Sequence, residues 1–212
     1  EPAQQAEVYR HLLDTLGVDT VAVVAMSAGA QSALEFARQF PHRCRSLVLL
    51  SGASGPVSPP VNVSGGFPRA LLETDPLMWA MIRIGKGYLG RMLGVTAANT
   101  RHAAARERAA LDGFVAALLP VSLRTEGILT DIRVLPGFDT GVLAEVSTPT
   151  LLLHTADDRL VPVATARRAH EWIVNSRYIE YPRGGHLLLG HHAEVSAEAN
   201  GFMHQHAGTG VR

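Results

Sequence analysis

Short runs of apolar and β-branched residues alternate with amphipathic segments along most of the chain. Such runs are typical of strands buried on both faces of a sheet, and they predict strands at residues 20–25, 46–50, 150–154 and 177–181. A helical period predicts helices at residues 1–16, 28–40, about 163–174 and 192–206. The apolar stripe of the first helix consists of Tyr9, Leu12, Leu13 and Leu16. Strands that alternate with helices in this way need right-handed crossovers, so we predict an α/β protein with a mostly parallel sheet flanked by helices.

The stretch from residue 55 to residue 140 departs from this alternation. It opens with several prolines and glycines and then becomes helical without a convincing strand. We interpret it as a helical insertion on the sheet, so the chain divides into core residues 1–54, the insertion at 55–140 and core residues 141–212. The insertion is either a second structural layer or a lid over a site, and its position in the chain favours the lid.

Composition and charge exclude several classes of function. Of the 212 residues, 47% are hydrophobic and 18% are charged, which provides a core and leaves too little charge for disorder. Lys and Arg total 19 and Asp and Glu total 19, so the zero net charge argues against nucleic acid or an anionic membrane as a partner. The single cysteine, Cys44, excludes a disulfide framework and a multi-cysteine zinc site. No apolar stretch is long enough to cross a bilayer, and without a leader after Glu1 we expect a cytoplasmic protein.

The strongest local signal is Ala25-Met26-Ser27-Ala28-Gly29, between a predicted strand and a predicted helix. A serine on such a tight turn projects its hydroxyl out of the sheet at the positive end of the helix. Because the turn brings backbone segments together, the residues two before and two after the serine must be small, as Ala25 and Gly29 are. Serines flanked by small residues also occur in ordinary turns, but this context favours a nucleophile.

A serine hydroxyl needs a base to remove its proton, and His186 is the best placed of the ten histidines. It follows Gly184 and Gly185 just after the fourth predicted strand. The imidazole in turn needs a carboxylate to fix its tautomer, and Asp157 and Asp158 both follow the third predicted strand. Either aspartate is also placed to cap the next helix, so the choice between them stays open at this point. All of these groups lie just past strand ends, where parallel sheets bind ligands.

Further histidines lie on or near the last predicted helix, at His191, His192, His204 and His206. We expect a solvated face there, because Glu194 is the only carboxylate at a matching spacing for a metal site. The sequence therefore predicts no metal.

The segments AMSAG, HTADDRLVP and GGH together resemble the α/β-hydrolase family. The family's acid lies in a segment like H-G-x-x-D-x-x-V-P, which matches Asp158 here and has Thr155 in place of the glycine. The glycine usual two residues before the serine is Ala25. The likeness covers about residues 1–54 and 141–206, and the insertion at 55–140 matches the position of the family's helical cap.

This resemblance implies acyl transfer by a Ser-His-Asp triad with no cofactor. Ser27 would attack a carbonyl, His186 would take and return the proton, Asp158 would orient His186, and the Ala28 N–H would hold the oxyanion. The family's second oxyanion donor follows its third strand and is not found in this chain, which implies that the first strands of the fold are missing. The strand at 20–25 would then be an exposed edge, and we expect an N-terminal segment or self-association to cover it.

The resemblance favours a serine esterase, or a hydrolase of a similar small hydrophobic acyl substrate. Met26 and Trp79 are the predicted substrate-binding residues. The insertion offers further pocket candidates, which a helix-packing stripe explains equally well: Phe67, Leu71, Leu77, Met78, Met81 and Ile82. The alternatives are carbon–carbon bond, lactone or amide hydrolysis or perhydrolysis on the same triad, and a non-catalytic binding module that keeps the fold.

Overall fold

The computed structural model describes residues 1–58 and 66–207, and these contain the predicted sheet. Its strands are β1 (Val21–Met26), β2 (Cys44–Leu50), β3 (Thr150–Thr155) and β4 (Ser176–Tyr181). They lie in the order β1-β2-β3-β4 and every neighbouring pair is parallel. The predicted parallel α/β sheet is therefore confirmed, although the observed strand ends differ from the predicted ones by a residue or two.

Side chains alternate along the strands and divide the core between the two faces of the sheet. Leu47 and Leu49 contribute to the core on one face, and Val48 and Leu151 to the core on the other. The first face is covered by α1 (Pro2–Thr15), α2 (Gly29–Gln39), α9 (Val142–Glu145) and α10 (Val163–Trp172), and the second by α11 (His192–Gln205). Because both faces are covered, every residue of β3 is buried.

Between β2 and β3 the described part of the chain is helical and holds no strand. Besides α9, its helices are α3 (Gly66–Glu73), α4 (Asp75–Ile84), α5 (Lys86–Met92), α6 (Ala97–His102), α7 (Ala105–Ala116) and α8 (Thr125–Val134), with 3₁₀ turns at Val121–Leu123 and Leu135–Gly137. None of the helices in residues 1–58 and 66–207 has both the length and the apolar character needed to span a membrane. The expectation of a helical insertion agrees with this part of the structure.

The insertion has a hydrophobic core of its own. Leu71 and Met78 are buried in it, and other predicted pocket candidates pack against it, namely Leu77, Met81 and Ile82. Helix packing therefore explains these residues. Residues 59–65 and the side chain of Phe67 lie outside the described part of the chain. The domain limits at 55 and 140, and the lid function, stay predictions.

The close approach between α2 and the sheet lies at Ala30 and not at Gly29. A Cβ built on Gly52, just after β2, would be 2.9 Å from the Cβ of Ala30, so the contact depends on glycine at position 52. A Cβ built on Gly29 meets no described atom within 4 Å. The expectation that crowding requires a small residue two places after Ser27 is therefore wrong within the described chain.

The strand β1 is an edge strand of the described sheet, as the sequence predicts. Among the described strands it pairs only with β2, and Val24 and Met26 are 50% and 37% exposed. The apolar stripe of α1 is also only partly covered, since Leu12 and Leu16 are exposed while Leu13 packs against the core. A segment or a second copy that covers β1 stays a prediction.

Val24 and Val48 are paired across β1 and β2 but differ in burial, so they form a matched test of this edge. Val48 is fully buried, and Val48→Ala should lower the free energy of unfolding by about 2–3 kcal/mol through lost apolar burial and a cavity. Val24→Ala should change it by less than about 0.5 kcal/mol. Chemical denaturation of both variants measures the difference. Equal losses would show that the outer edge of β1 is covered in solution.

Candidate active site

Ser27 lies on the turn from β1 into α2 and has a left-handed backbone. Its φ is +54°, a conformation that is unfavourable for residues other than glycine. Backbone hydrogen bonds hold it there: Ser27 N donates to Leu50 O at 3.2 Å, and Ser27 O accepts from Ala30 N at 3.1 Å and Ala53 N at 2.9 Å. The turn therefore has the strained strand-to-helix geometry expected of a nucleophilic serine.

The backbone N–H of Ala28 lies next to this serine. Ala28 is the N-cap residue of α2, and its N–H makes no hydrogen bond to any residue that the structure describes. A free N–H at the positive end of a helix is suited to bind an anion. Ala28 is thus in the state that the predicted oxyanion role requires.

His186 and Asp158 are joined by a buried hydrogen bond. His186 Nδ1 lies 2.8 Å from Asp158 Oδ2, and the two residues are 3% and 9% exposed. The other carboxylate oxygen, Asp158 Oδ1, accepts from the backbone N–H groups of Leu160 at 2.8 Å and Val161 at 3.0 Å. Because Asp158 faces Nδ1, the neutral imidazole carries its proton on Nδ1 and leaves the Nε2 lone pair free to act as a base.

These contacts keep the Asp158 carboxyl ionised. Burial by itself raises its pKa, but hydrogen bonds from His154 and His186 and from the Val161 backbone outweigh burial, and the pKa lies well below its usual value. Asp158 is therefore a carboxylate at neutral pH, as a group that stabilises an imidazolium must be.

Asp157 does not contact His186 and holds the histidine loop in another way. Its Oδ1 accepts from the backbone N–H of Gly185 at 2.8 Å, and its Oδ2 accepts from Asn99 Nδ2 at 2.7 Å. Asn99 belongs to α6 of the insertion and is 2% exposed. The structure therefore pairs the histidine with Asp158, as the family motif implies, and uses Asp157 to connect the insertion to the loop.

The glycines of the histidine loop allow a close approach to the insertion. Gly185 has a φ of +61°, and a Cβ there would lie 2.7 Å from Gly94 O and 3.0 Å from Asn99 Oδ1. Gly94 also has a positive φ, and a Cβ there would lie 2.8 Å from the Cβ of His186. The backbone N–H of His186 donates to Gly94 O at 3.3 Å. The backbone of the insertion thus packs directly against the loop that carries His186.

A second buried carboxylate connects the insertion to the end of the same loop. Glu107 in α7 is 3% exposed, and it accepts from the backbone N–H groups of Gly190 at 2.9 Å, His192 at 2.9 Å and Ala104 at 2.7 Å. Burial raises its pKa, but these backbone hydrogen bonds outweigh that effect and the pKa is lowered. Glu107 therefore stabilises the start of α11 as well as the insertion.

Sequence reasoning missed Gly94, Asn99 and Glu107. The segment Thr96-Ala97-Ala98-Asn99 has the spacing of a capping box, and Thr96 Oγ1 does accept from Asn99 N at 3.2 Å. That local pattern predicts a helix start and says nothing about the distant Asp157. The N-cap residue of α7 is Ala104, which has no polar side chain. No capping box in the sequence therefore indicates a role for Glu107.

Ser27 and His186 both follow strands at the same edge of the parallel sheet, and they are not hydrogen bonded to each other in the described chain. Ser27 follows β1 and His186 follows β4, with β2 and β3 between them in the sheet. The hydroxyl of Ser27 has no hydrogen-bond partner among the described residues. Catalytic hydrogen bonds are often long in unliganded enzymes and tighten when substrate binds.

The two predicted substrate-binding residues differ in their positions. Met26 directly precedes Ser27 and is 37% exposed. Trp79 on α4 is exposed, and the Arg83 guanidinium lies 5.4 Å from its ring centroid. A cavity of about 150 Å³ between α1, α2 and α8 is lined by Ala28 and Gly29 but not by Ser27 or His186. Met26 is therefore adjacent to the candidate nucleophile, while the role of Trp79 depends on how substrate binds.

The remaining histidines do not form a metal site in the described chain. His191 Nδ1 lies 3.1 Å from Glu194 Oε2 and its ring stacks on Tyr181, and His192 Nε2 lies 2.9 Å from Leu187 O. His191 and His192, which we expected on a solvated face, thus make local contacts. Burial raises the pKa of the Cys44 thiol to about 12, so it does not supply a thiolate nucleophile at neutral pH.

The chain belongs to the alpha/beta hydrolase family, whose model matches residues 1–199. A solved alpha/beta hydrolase fold protein from Nakamurella multipartita superposes with a TM-score of 0.70 at 21% identity, over 99% of this chain and 77% of that one. The fold and the family that the three sequence segments resemble are therefore confirmed.

Curated relatives share sequence with most of the chain. A 2-hydroxy-6-oxononadienedioate/2-hydroxy-6-oxononatrienedioate hydrolase from Pseudomonas putida is 29% identical over 194 residues, which cover 89% of this chain and 64% of that protein. A 2-hydroxymuconate semialdehyde hydrolase from Pseudomonas putida is 26% identical over 191 residues, which cover 86% of this chain and 62% of that protein. The chain thus spans less than two thirds of the length of either relative.

The two adjacent aspartates can be separated by single substitutions. Asp158→Asn should slow phosphonylation of Ser27 by a fluorophosphonate about 10³–10⁴-fold, because an amide cannot hold the imidazole in the required tautomer. Asp157→Asn should slow it by about tenfold or less, because it disturbs the loop without touching the imidazole. Stopped-flow or gel-based labelling rates measure both effects. A larger loss at Asp157 would overturn the assignment.

Glu107→Gln should lower the free energy of unfolding at pH 7 by about 1–3 kcal/mol, because an amide matches fewer of the buried N–H donors. The lowered pKa of Glu107 means that its stabilisation is present above the unfolded pKa of about 4.3 and is lost as pH falls through the folded value. The gap between wild type and variant should therefore narrow on acidification. Chemical denaturation from pH 7 to pH 3 tests this, with exposed Glu126→Gln as the control. A gap that stays constant with pH would contradict the prediction.

Proposed function

We propose that the chain is a serine-dependent hydrolase that forms an acyl-enzyme on Ser27. The observation that carries the proposal is the buried hydrogen bond between His186 Nδ1 and Asp158 Oδ2. The left-handed backbone of Ser27 at the carboxyl end of β1 supports it, because an ordinary turn serine does not require that strain. Membership of a hydrolase family points to the same class of reaction.

In the proposed reaction the same groups act in two steps, which are formation of the acyl-enzyme and its hydrolysis. Ser27 Oγ attacks the carbonyl carbon while His186 Nε2 takes the hydroxyl proton. The oxyanion accepts a hydrogen bond from the Ala28 N–H, and Asp158 stabilises the imidazolium. The bond from the carbonyl carbon to the leaving group then breaks as His186 returns the proton to that group. Water attacks the acyl-enzyme with the same proton transfers, which releases the acid and restores Ser27.

The relatives move the proposed substrate away from a simple ester. They are named for hydrolysis of 2-hydroxy-6-oxo dienedioates and of a 2-hydroxymuconate semialdehyde, whose reactive groups are ketone or aldehyde carbonyls. Hydrolysis at a ketone breaks the bond between the carbonyl carbon and its neighbouring carbon. We therefore place carbon–carbon bond hydrolysis of a small oxo acid first for this chain.

Ester hydrolysis, predicted from the sequence, is the second candidate. The exposed apolar side chains of Met26, beside Ser27, and of Trp79 on α4 favour an apolar acyl group over a dioate. The same nucleophile, base and acid serve both reactions, so the two candidates differ in the leaving group and in the shape of the pocket.

A fluorophosphonate probe tests the nucleophile directly. Wild type should be labelled at one residue, and Ser27→Ala should abolish the labelling because the probe reacts with activated serines. The control is Ser196→Ala, which removes an exposed hydroxyl from α11 and should label like wild type. Peptide mass spectrometry locates the modified residue. A folded wild-type chain that is not labelled at Ser27 would favour the non-catalytic binding module.

Hydrolysis of vinylogous 1,5-diketones, followed by the loss of their ultraviolet absorbance, separates the two candidate substrates from each other. We expect Ser27-dependent turnover of these diketones to exceed that of p-nitrophenyl esters of similar size by about tenfold or more in kcat/KM. Both assays should be run on wild type and Ser27→Ala. Turnover of the esters with indifference to every diketone would return ester hydrolysis to first place.

A further inference from the structure

A buried histidine lies directly behind the candidate triad. His154, near the end of β3, has no exposed surface. Its Nε2 lies 3.2 Å from Asp158 Oδ2 and 3.0 Å from the backbone carbonyl of Val161. Its Nδ1 is buried and has no hydrogen-bond partner among the residues that the structure describes. The proposed mechanism uses His186 and gives His154 no role.

The surroundings of His154 decide where its proton lies. Both groups that face Nε2 are acceptors, so Nε2 carries the N–H and the unpartnered Nδ1 holds a lone pair. A second proton on Nδ1 would place an unpaired N–H and a charge in the buried core, which is costly. The single N–H of His154 therefore faces both the Val161 carbonyl and the Asp158 carboxylate.

Other charged groups around this strand end are already engaged. Glu180, opposite His154 in the register of β4, binds the guanidinium of Arg167 and the hydroxyl of Tyr178. Asp157 accepts from Gly185 N and Asn99 Nδ2. The ionisable side chain that His154 contacts through a hydrogen bond or ion pair in the described chain is thus Asp158.

The Asp158 carboxylate consequently receives N–H groups on both oxygens. Oδ1 accepts from two backbone N–H groups of the turn after β3, and Oδ2 accepts from His186 Nδ1 and lies 3.2 Å from His154 Nε2, whose N–H also faces the Val161 carbonyl. Three hydrogen-bond donors and the nearby His154 N–H thus surround the carboxylate. The orientation of the acid is therefore set before substrate arrives, and the two histidines share the negative charge of one oxygen.

We propose that His154 is a positioning residue for the triad, which fixes Asp158 and limits how strongly Asp158 holds the protonated form of His186. The proposal rests on the hydrolase function proposed above. It assigns His154 no contact with substrate. Since a general base must release its proton to the leaving group, an Asp158 that attracts the imidazolium less strongly speeds that release.

This role predicts the direction of a pH effect. Without the His154 N–H, more negative charge stays on Oδ2, so Asp158 stabilises protonated His186 more strongly. His186 should then titrate at a pH higher by about half a unit or more in the variant. The acid limb of the rate profile should move to higher pH by the same amount, because the protonated imidazole is inactive as a base. A residue that only fills space would not move either value.

Amide substitutions provide matched variants. The Gln side chain places an N–H near the position of histidine Nε2, whereas the shorter Asn side chain does not reach it. His154→Asn should raise the titration midpoint of His186 and slow phosphonylation of Ser27 about tenfold or more. His154→Gln should return both values towards wild type. His170→Gln, which changes a histidine hydrogen bonded at an exposed site on α10, is the control.

Histidine NMR titration of each variant, with His186 assigned through His186→Asn, measures the midpoint without catalysis. Fluorophosphonate labelling rates from pH 5 to pH 9 measure the acid limb. Chemical denaturation confirms that each variant is folded at the pH used. A raised midpoint in His154→Asn that His154→Gln reverses supports the proposal, and equal midpoints in wild type and both amide variants overturn it. A wild type that is never labelled overturns the proposed function alone, because the titration still reports on the Asp158–His186 pair.

Discussion

The site depends on a single constraint, which is that carboxylates removed from water must be matched by nearby donors. Asp158 meets this condition with two histidines and two backbone N–H groups. Glu107 meets it with three backbone N–H groups, two of them at the end of the histidine loop. Because most of these donors are main-chain groups, satisfying the charges also sets the path of the loops. The position of His186 is in this sense a consequence of where carboxylates are buried.

The same constraint changes how the helical insertion should be interpreted. Gly94, Asn99 and Glu107 all contact the histidine loop or its supporting aspartate, so the stretch from Gly94 to α7 packs against the site. Withdrawing Asn99 would leave Oδ2 of the Asp157 carboxylate without its donor, while Oδ1 would still accept from Gly185 N. The helices α3 to α5, in contrast, pack mainly within the core of the insertion. These contacts are therefore compatible with a lid formed by α3 to α5. Movement of α6 and α7 would instead break their hydrogen bonds to Asp157 and to the histidine loop.

The sequence is informative where one local pattern has one physical meaning. Apolar runs predicted the four strands, because a strand covered on both faces needs apolar side chains in succession. The small residues around Ser27 and the flanking elements predicted its turn, and the structure adds the left-handed backbone. The residues by themselves limited the candidate triad acid to Asp157 or Asp158. Only the family motif favoured Asp158. Asp157 and Asp158 are adjacent on one turn, but their side chains contact different partners. The order of the two residues in the sequence does not determine which of them faces His186.

Sequence alone thus determined the α/β alternation, the helical insertion and the strand ends that carry Ser27, Asp158 and His186. Tertiary structure decided the partners: Asn99 for Asp157, Glu107 for the start of α11, and His154 for Asp158. It also showed that the close contact of α2 with the sheet lies at Ala30 and Gly52, and that a side chain at Gly29 would meet no described atom within 4 Å. Elements follow from short-range periodicity, because burial of a face repeats every few residues. Partners across the chain depend on how separate elements pack, and no local pattern records that.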